Sequence, residues 1–588
     1  MRPAIICCCL LTATLTLCPA APPEHVKAAD IHPERELLIT DPIIVDSANA
    51  QYPGPWSFGG LVEEIFGKEK APEAIHRWLL CYAEESTTGV APECLSPADF
   101  GVPLPPGAKN TTLRVKKTRT DSSGDSQPAV TIPARPEVAR KFVRDWQQRD
   151  GYDPQSGKPW EPNLAHAPFR LLAIVNRLDL GVAPLVDTEG DLRTKWRNAG
   201  KERQLAAMVG LSTQGVHGIT SFPSDTPPSF SPYGGFGGFS GSGLTTVNSR
   251  GFRGFRFGGR ELAGIPSTCV TPPTSTTESK GPNFGEGRLI FGAVGPDGQP
   301  LPGNWTLIFE YQLEPLSKVG RTLPNSAPGS LTAQDWAQAW HWLGGLELKD
   351  PRYAESLVTL TKAFTHRGTN DKGEITEAAK PSFSQLRSSE AAFGPGREFR
   401  QFDLQNGAFV PALLPLTPAP AFMDDRQVNG RVLGNFLNEI EPLIRAGIHS
   451  IPKTVEFHRT TFALQGATAL IPDGEKDFHW DPAPHIIRDA RRLFSMNTCN
   501  GCHAGDTGCP DGLHVHPRAA GMEAKVSDFL RRDGQPDKFQ DPGLKTSYVR
   551  LTEMEDRAAI LAALLEPKEK KRVDQLEDLL RSRLRRSH

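Results

Sequence analysis

Apolar residues along this chain follow two rhythms. Residues 169–175 form a largely apolar run suited to a buried strand, and residues 288–294 and 305–311 form two more. The last two are joined by Gly295-Pro296-Asp297-Gly298, a turn sequence between strands. Residues 37–40 and 43–45, on either side of Asp41-Pro42, predict two short strands. Helical spacing predicts helices over 60–66, 74–82, 336–343, 353–364 and 428–445, several of which should cover the sheet. Near the end, helices are predicted over 486–496, 556–565 and 573–584.

Two stretches break the pattern. Residues 102–137 turn to Pro, Ser, Thr and Lys and predict a loop or ragged hairpin. Residues 220–282 are dominated by Gly, Ser, Thr, Pro and Phe, with no strand before and no helix after to support a phosphate-binding loop. At 588 residues the chain is too long for one compact core. The expectation is an α+β multidomain protein. A signal peptide spans 1–29 and an N-terminal α+β region 30–165. A central mixed β-sheet domain with covering helices spans 166–475, with a Gly-rich insertion at about 222–283. A small all-α domain spans 480–588.

Composition narrows the function classes. A formal net charge of −2 provides no global basic field for nucleic acid or anionic lipid. Arg2 precedes an apolar run over 4–17 that is too short to span a bilayer, and small residues follow at Ala20, Ala21, Ala28 and Ala29. This predicts export to the periplasm or cell surface with no transmembrane segment. A lipid anchor at Cys18 is a lesser alternative, because bulky Leu17 precedes it. No Walker loop or serine-centred hydrolase motif is visible.

Of ten cysteines, Cys7, Cys8, Cys9 and Cys18 fall in the expected leader. Cys81, Cys94, Cys269, Cys499, Cys502 and Cys509 remain for an oxidising compartment. Cys499-Asn500-Gly501-Cys502-His503 is the covalent haem attachment pattern: two thiols reach the two vinyl groups and the histidine is directed to the iron. Competing readings are a plain disulfide, or a zinc knuckle with Cys509, His503, His514 or His516. If haem takes two cysteines, Cys81 with Cys94 is the natural local disulfide. That would make Cys269 with Cys509 the second, one of three connectivities open to four cysteines.

The motif, with a helix leading into it, resembles the c-type cytochromes. Phe494 lies five positions before Cys499, where the familiar spacing is four, and residues 556–565 lack an aromatic. The stretch 493–507 with His514-Val515-His516-Pro517-Arg518 resembles a group of uncharacterised exported bacterial proteins. Those proteins also carry motifs like Leu172-Ala173-Ile174-Val175-Asn176-Arg177-Leu178-Asp179 and Ile308-Phe309-Glu310-Tyr311. The resemblance implies one covalent haem c, with Cys499 and Cys502 as anchors and His503 as proximal iron ligand, in a cytochrome c-like domain. For the distal position His514 ranks first, at the place matching the related sequences, with His516 and Met522 behind and Met554 also downstream.

The expected function is single-electron transfer with a redox partner protein that the sequence does not name. A haem-containing oxidoreductase with its substrate in the central domain is a rival. A non-haem surface binding or structural protein with a disulfide or zinc clip is another. Asn176, Arg177, Asp179, Glu286, Arg288 and Glu310 either line a polar cleft or form buried ion pairs within the sheet, and the second is preferred. Trp336, Trp340, His341 and Trp342 read as core packing, and the basic tail over 568–586 as a solvated helix.

Overall fold

The computed structural model describes residues 26–82, 135–178, 256–257, 260–261, 284–313, 332–366, 381–391, 396–405, 407–423, 428–446, 449–458, 460–475, 477–482, 488–509, 511–530, 538–540, 547–549 and 553–565. Most of the expected leader with Cys18, and also Cys94, Cys269, Asp179 and residues 573–584, lie outside these. So does the Gly-rich insertion, apart from one two-residue hairpin at 256–257 and 260–261.

The chain is α+β, built on an eight-stranded sheet. Its strands are β1 (Leu38–Ile39), β2 (Phe169–Leu178), β3 (Gly285–Ala293), β4 (Trp305–Gln312), β5 (Phe383–Glu390), β6 (Arg397–Gln405), β7 (Ala408–Ala412) and β8 (Thr468–Ile471). The first six pair in chain order, and β7 and β8 share the far edge of β6. The mixed sheet expected from sequence is antiparallel at every described pairing. The turn at 295–298 shows why locally: Gly298 N–H donates to the Gly295 carbonyl at 3.0 Å and reverses the chain into a hairpin.

Strand alternation gives the sheet two different faces. One presents Leu289, Phe291, Trp305, Leu307, Phe309, Tyr311, Leu386 and Phe402, all buried. Against it lie α1 (Phe58–Phe66), α2 (Ala71–Tyr82), α3 (Arg135–Arg149), α4 (Ala333–Gly344) and α5 (Pro351–Thr365). Edge-to-face ring contacts hold the layers together: Phe58 to Phe309 at 5.7 Å, Phe142 to Trp305 at 4.9 Å, Trp78 to Phe402 at 5.9 Å. Trp336 and Trp340 are core residues here, as their spacing predicted. The opposite face carries Arg177, Glu286, Arg288, Glu310, Arg387 and Phe399, and residues from 488 onward cover it.

The elements of that cover are α8 (Arg488–Met496) and α9 (Cys499–Cys502), preceded by α6 (Val428–Glu439) and α7 (Glu441–Ala446) and followed by α10 (Glu553–Leu565). A second hydrophobic core, including Phe399, Leu433, Phe436, Ile471, Trp480 and Phe494, joins α6 and α8 to the edge of the sheet. Arg518 fastens the cover to the rest. It donates to both Asp46 oxygens at 2.7 and 2.8 Å and to the Leu171 carbonyl at 3.0 Å. Although burial opposes it, this pairing holds the Asp46 carboxyl below its ordinary range.

Two local expectations are corrected. Residues 43–45 are helical, not extended, because Asp41 accepts the Ile43 N–H at 2.8 Å as N-cap and Pro42 opens the turn. The single helix over 428–445 is two helices, because Pro442 has no N–H to continue the ladder across Ile440. No helix among the described residues is long and apolar enough to cross a membrane.

Candidate functional site

The cysteine motif is held from three directions. Thr498 caps α9: its hydroxyl accepts the Gly501 N–H at 3.1 Å and donates to the Ser495 carbonyl at 2.7 Å. The Trp480 indole N–H is shared between the Thr498 hydroxyl and the Asn500 side-chain oxygen, each at 3.0 Å. Asn500 in turn donates to the Leu470 carbonyl on β8, and the Cys499 N–H to the Thr417 hydroxyl. Gly501 packs so tightly on the preceding turn that a Cβ there would lie 2.1 Å from the Ser495 carbonyl oxygen, so only glycine fits.

A sealed ion pair supports the motif from behind. Arg491 on α8 grips both oxygens of Asp506, at 2.8 and 3.1 Å, and also reaches the Trp480 carbonyl. Thr507 then donates to the Cys502 carbonyl.

Cys499 and Cys502 stand at the two ends of one helical turn, three residues apart and so on one side of it. Both are buried free thiols. Burial pushes both up, Cys502 to about 12, so each is protonated at neutral pH. The Cys502 thiol lies 3.7 Å from His514 Nε2, and His514 Nδ1 is hydrogen-bonded to the Ser527 hydroxyl at 2.9 Å. Cys509 is a third free thiol and donates to the Leu513 carbonyl at 3.0 Å. Its proposed partner Cys269 lies outside the described residues. Nothing is described of the side chain of Cys81 or of Cys94.

His503 is the best-oriented ligand of the group. Its Nδ1–H donates to the Gly512 carbonyl at 3.0 Å, which fixes the tautomer and leaves Nε2 unprotonated. Gly512 has φ +70, a left-handed conformation that glycine adopts without strain. The His503 ring lies between Phe399 on β6, with centroids 4.8 Å apart, and His514 at 4.2 Å. Burial, reinforced by His514, keeps His503 neutral by pushing its pKa well below the usual range.

The chemistry of this donor set fits a covalently held porphyrin: two free thiols on one turn and a neutral imidazole whose Nε2 carries no proton. His514 stands differently. At 4.2 Å, closer than stacked rings usually lie, it packs on the His503 ring and is not opposed to it across a space. Val515, between His514 and His516, is bridged to Val526. His516 pairs with Asp511 at 3.4 Å, Met522 is 60% exposed, and Met554 is buried in the core. Among the described residues no three His, Cys, Asp or Glu side chains form a metal cage.

Opposite the motif, the charged sheet face is a linked network. Arg288 bonds Glu286 at 2.6 Å and Glu310 at 3.2 Å, Arg387 approaches Glu310 at 3.5 Å, and Gln385 donates to Glu310. Although burial opposes it, Arg288, Arg177 and Arg387 hold Glu286 down at about 2. Asn176 points to the other face and donates to the Glu36 carbonyl.

His449 is a titrating group that no sequence motif marked. It is buried against Phe494, and neither ring nitrogen has a hydrogen-bond partner among the described residues. Burial lowers its pKa to about 4 from 6.5. The folded protein therefore holds this ring neutral while the unfolded chain takes up a proton below about pH 6.5. Stability is expected to fall as pH drops from 6.5 and to level off near 4, a loss of about 3 kcal/mol. Denaturant midpoints measured across that window should show a flatter pH dependence in His449→Leu.

No family model, curated protein or solved structure matches this chain.

Proposed function

We propose that this chain is an exported c-type haem protein that passes single electrons to or from a partner protein, with residues 480–588 as its haem-bearing region. The observation that carries the reading is the His503 imidazole, oriented by Gly512 beside two free thiols on one helical turn. When bound, the haem supplies a one-electron couple whose potential follows axial ligation, hydrogen bonding and burial.

The chain's own residues have separable tasks in this reading. Cys499 and Cys502 anchor through sulfur, while Thr498, Asn500 and Trp480 hold the turn that spaces them. His503 presents Nε2. Phe399 and Phe529 exclude water from the imidazoles. His514, packed on the His503 ring, is the residue that would supply a second nitrogen to the iron.

The test is production of the whole chain with a haem-attachment system, then a denaturing gel stained for haem and a reduced visible spectrum. A coloured product with covalent porphyrin supports the reading, and a colourless one of unchanged mass ends it. If His514 closes the iron, His514→Ala should turn a six-coordinate spectrum into one that binds carbon monoxide when reduced. Carbon monoxide binding by the unaltered protein would instead favour an oxidoreductase.

A further inference from the structure

Of the guanidiniums in the sheet-face cluster, Arg177 has the most distant carboxylate partner. The cluster holds Arg177, Arg288, Arg387 and Arg557 against Glu286, Glu310 and Glu553. Arg288 is held by Glu286 and Glu310, Arg387 faces Glu310, and Arg557 bonds Glu553 at 3.0 Å through two nitrogens. Arg177 is left with a 3.8 Å approach to the Glu553 oxygen that Arg557 already holds. Its guanidinium meets no hydrogen-bond acceptor among the described residues, although its side chain is only 11% exposed. Burial and the like charges of Arg288 and Arg557 push its pKa down to about 9. A five-donor cation in such a place is costly unless an anion joins it.

Its position says which anion. Arg177 lies on β2, on the face that the motif covers, with its backbone paired to Glu286 of β3. Glu553 beside it donates its N–H to the Phe529 carbonyl, and the Phe529 ring packs on His514 at 5.1 Å. The charges of Arg177, Arg288 and Glu553 all act on the Cys502 thiol. A haem anchored at that thiol carries two carboxylates, and a guanidinium fork is the side chain best suited to receive one.

We propose that Arg177, with Arg288 beside it, receives a carboxylate of the porphyrin held at Cys499 and Cys502, so that the central sheet forms part of the haem site. The inference rests on the haem reading above. Loss of the guanidinium removes positive charge near the iron, which favours the oxidised state and lowers the reduction potential.

The experiment compares the matured whole protein with Arg177→Gln, Arg177→Lys and Glu553→Gln, reading covalent haem by stained gel and midpoint potential by redox titration. Arg177→Gln should keep its covalent haem while its redox equilibrium shifts about tenfold toward oxidation, 59 mV for one electron. Arg177→Lys should recover part of the shift, and Glu553→Gln should move the potential upward. An unchanged potential in haem-loaded Arg177→Gln overturns the proposal. If that variant does not fold, unchanged potentials in the other two overturn it. Acetate is then titrated into the unaltered protein. A saturable change in potential that Arg177→Gln lacks means the site takes a free carboxylate, which also overturns the proposal. An unaltered protein without haem removes the underlying reading first, and the stained gel shows this before any potential is measured.

Discussion

Replacing Cys499 and Cys502 together with serine is expected to abolish covalent haem entirely, seen as loss of the stained band and of the visible spectrum. Either single variant should retain one thioether and a weaker band. Serine is close to cysteine in size but places a hydroxyl where a buried thiol sat, at a cost of about 1–3 kcal/mol at each site. Cys499 packs in the core shared by α6 and α8, and Cys502 in the larger core that includes the sheet. The far-ultraviolet circular dichroism of the double variant should therefore remain close to that of the unaltered chain. Full haem retention by the double variant would remove the motif from the account.

The second large effect concerns stability. Asp506→Ala leaves the Arg491 guanidinium, which is 3% exposed, without the carboxylate that grips it at 2.8 Å. Breaking a buried pair from one side typically costs about 3–5 kcal/mol, because the remaining charge stays desolvated. The double replacement Arg491→Met with Asp506→Leu removes both charges and should cost much less than the sum of the single changes. Denaturant midpoints of the three variants measure this directly. Additive losses would mean that the pair is not coupled.

The sheet was legible in sequence where its strands are apolar. Residues 169–175 and the hairpin around 295–298 stood out because both faces of those runs could be recognised from composition. Strands β5 and β6 did not, because Arg387, Glu390, Arg397 and Arg400 interrupt the apolar period. Those charges are tolerated through partners on neighbouring strands and in the cover: Arg400 with Glu390 and Glu398, Arg397 with the Asp511 carbonyl. Helix α3 was hidden at the edge of a polar stretch, and its apolar positions Phe142, Val143 and Trp146 were the available signal.

The site divides in the same way. Cys499, Cys502, His503 and His514 form a local motif, and the structure brings all four together. Met522 was a candidate by position alone, and lies on the surface. Thr417, Leu470 and Trp480, which hold the motif, come from up to 82 residues away and have no local pattern. The charged residues of β2, β3 and β4 were visible, but periodicity could not show that their face lies opposite the cysteines.

The Arg518 latch joins residues 472 positions apart in the chain. The lid over the charged face is therefore fastened only when both ends of that span are in place. With the cover in place both sulfurs of the motif are buried. A reagent that reaches either sulfur must therefore do so with that cover lifted.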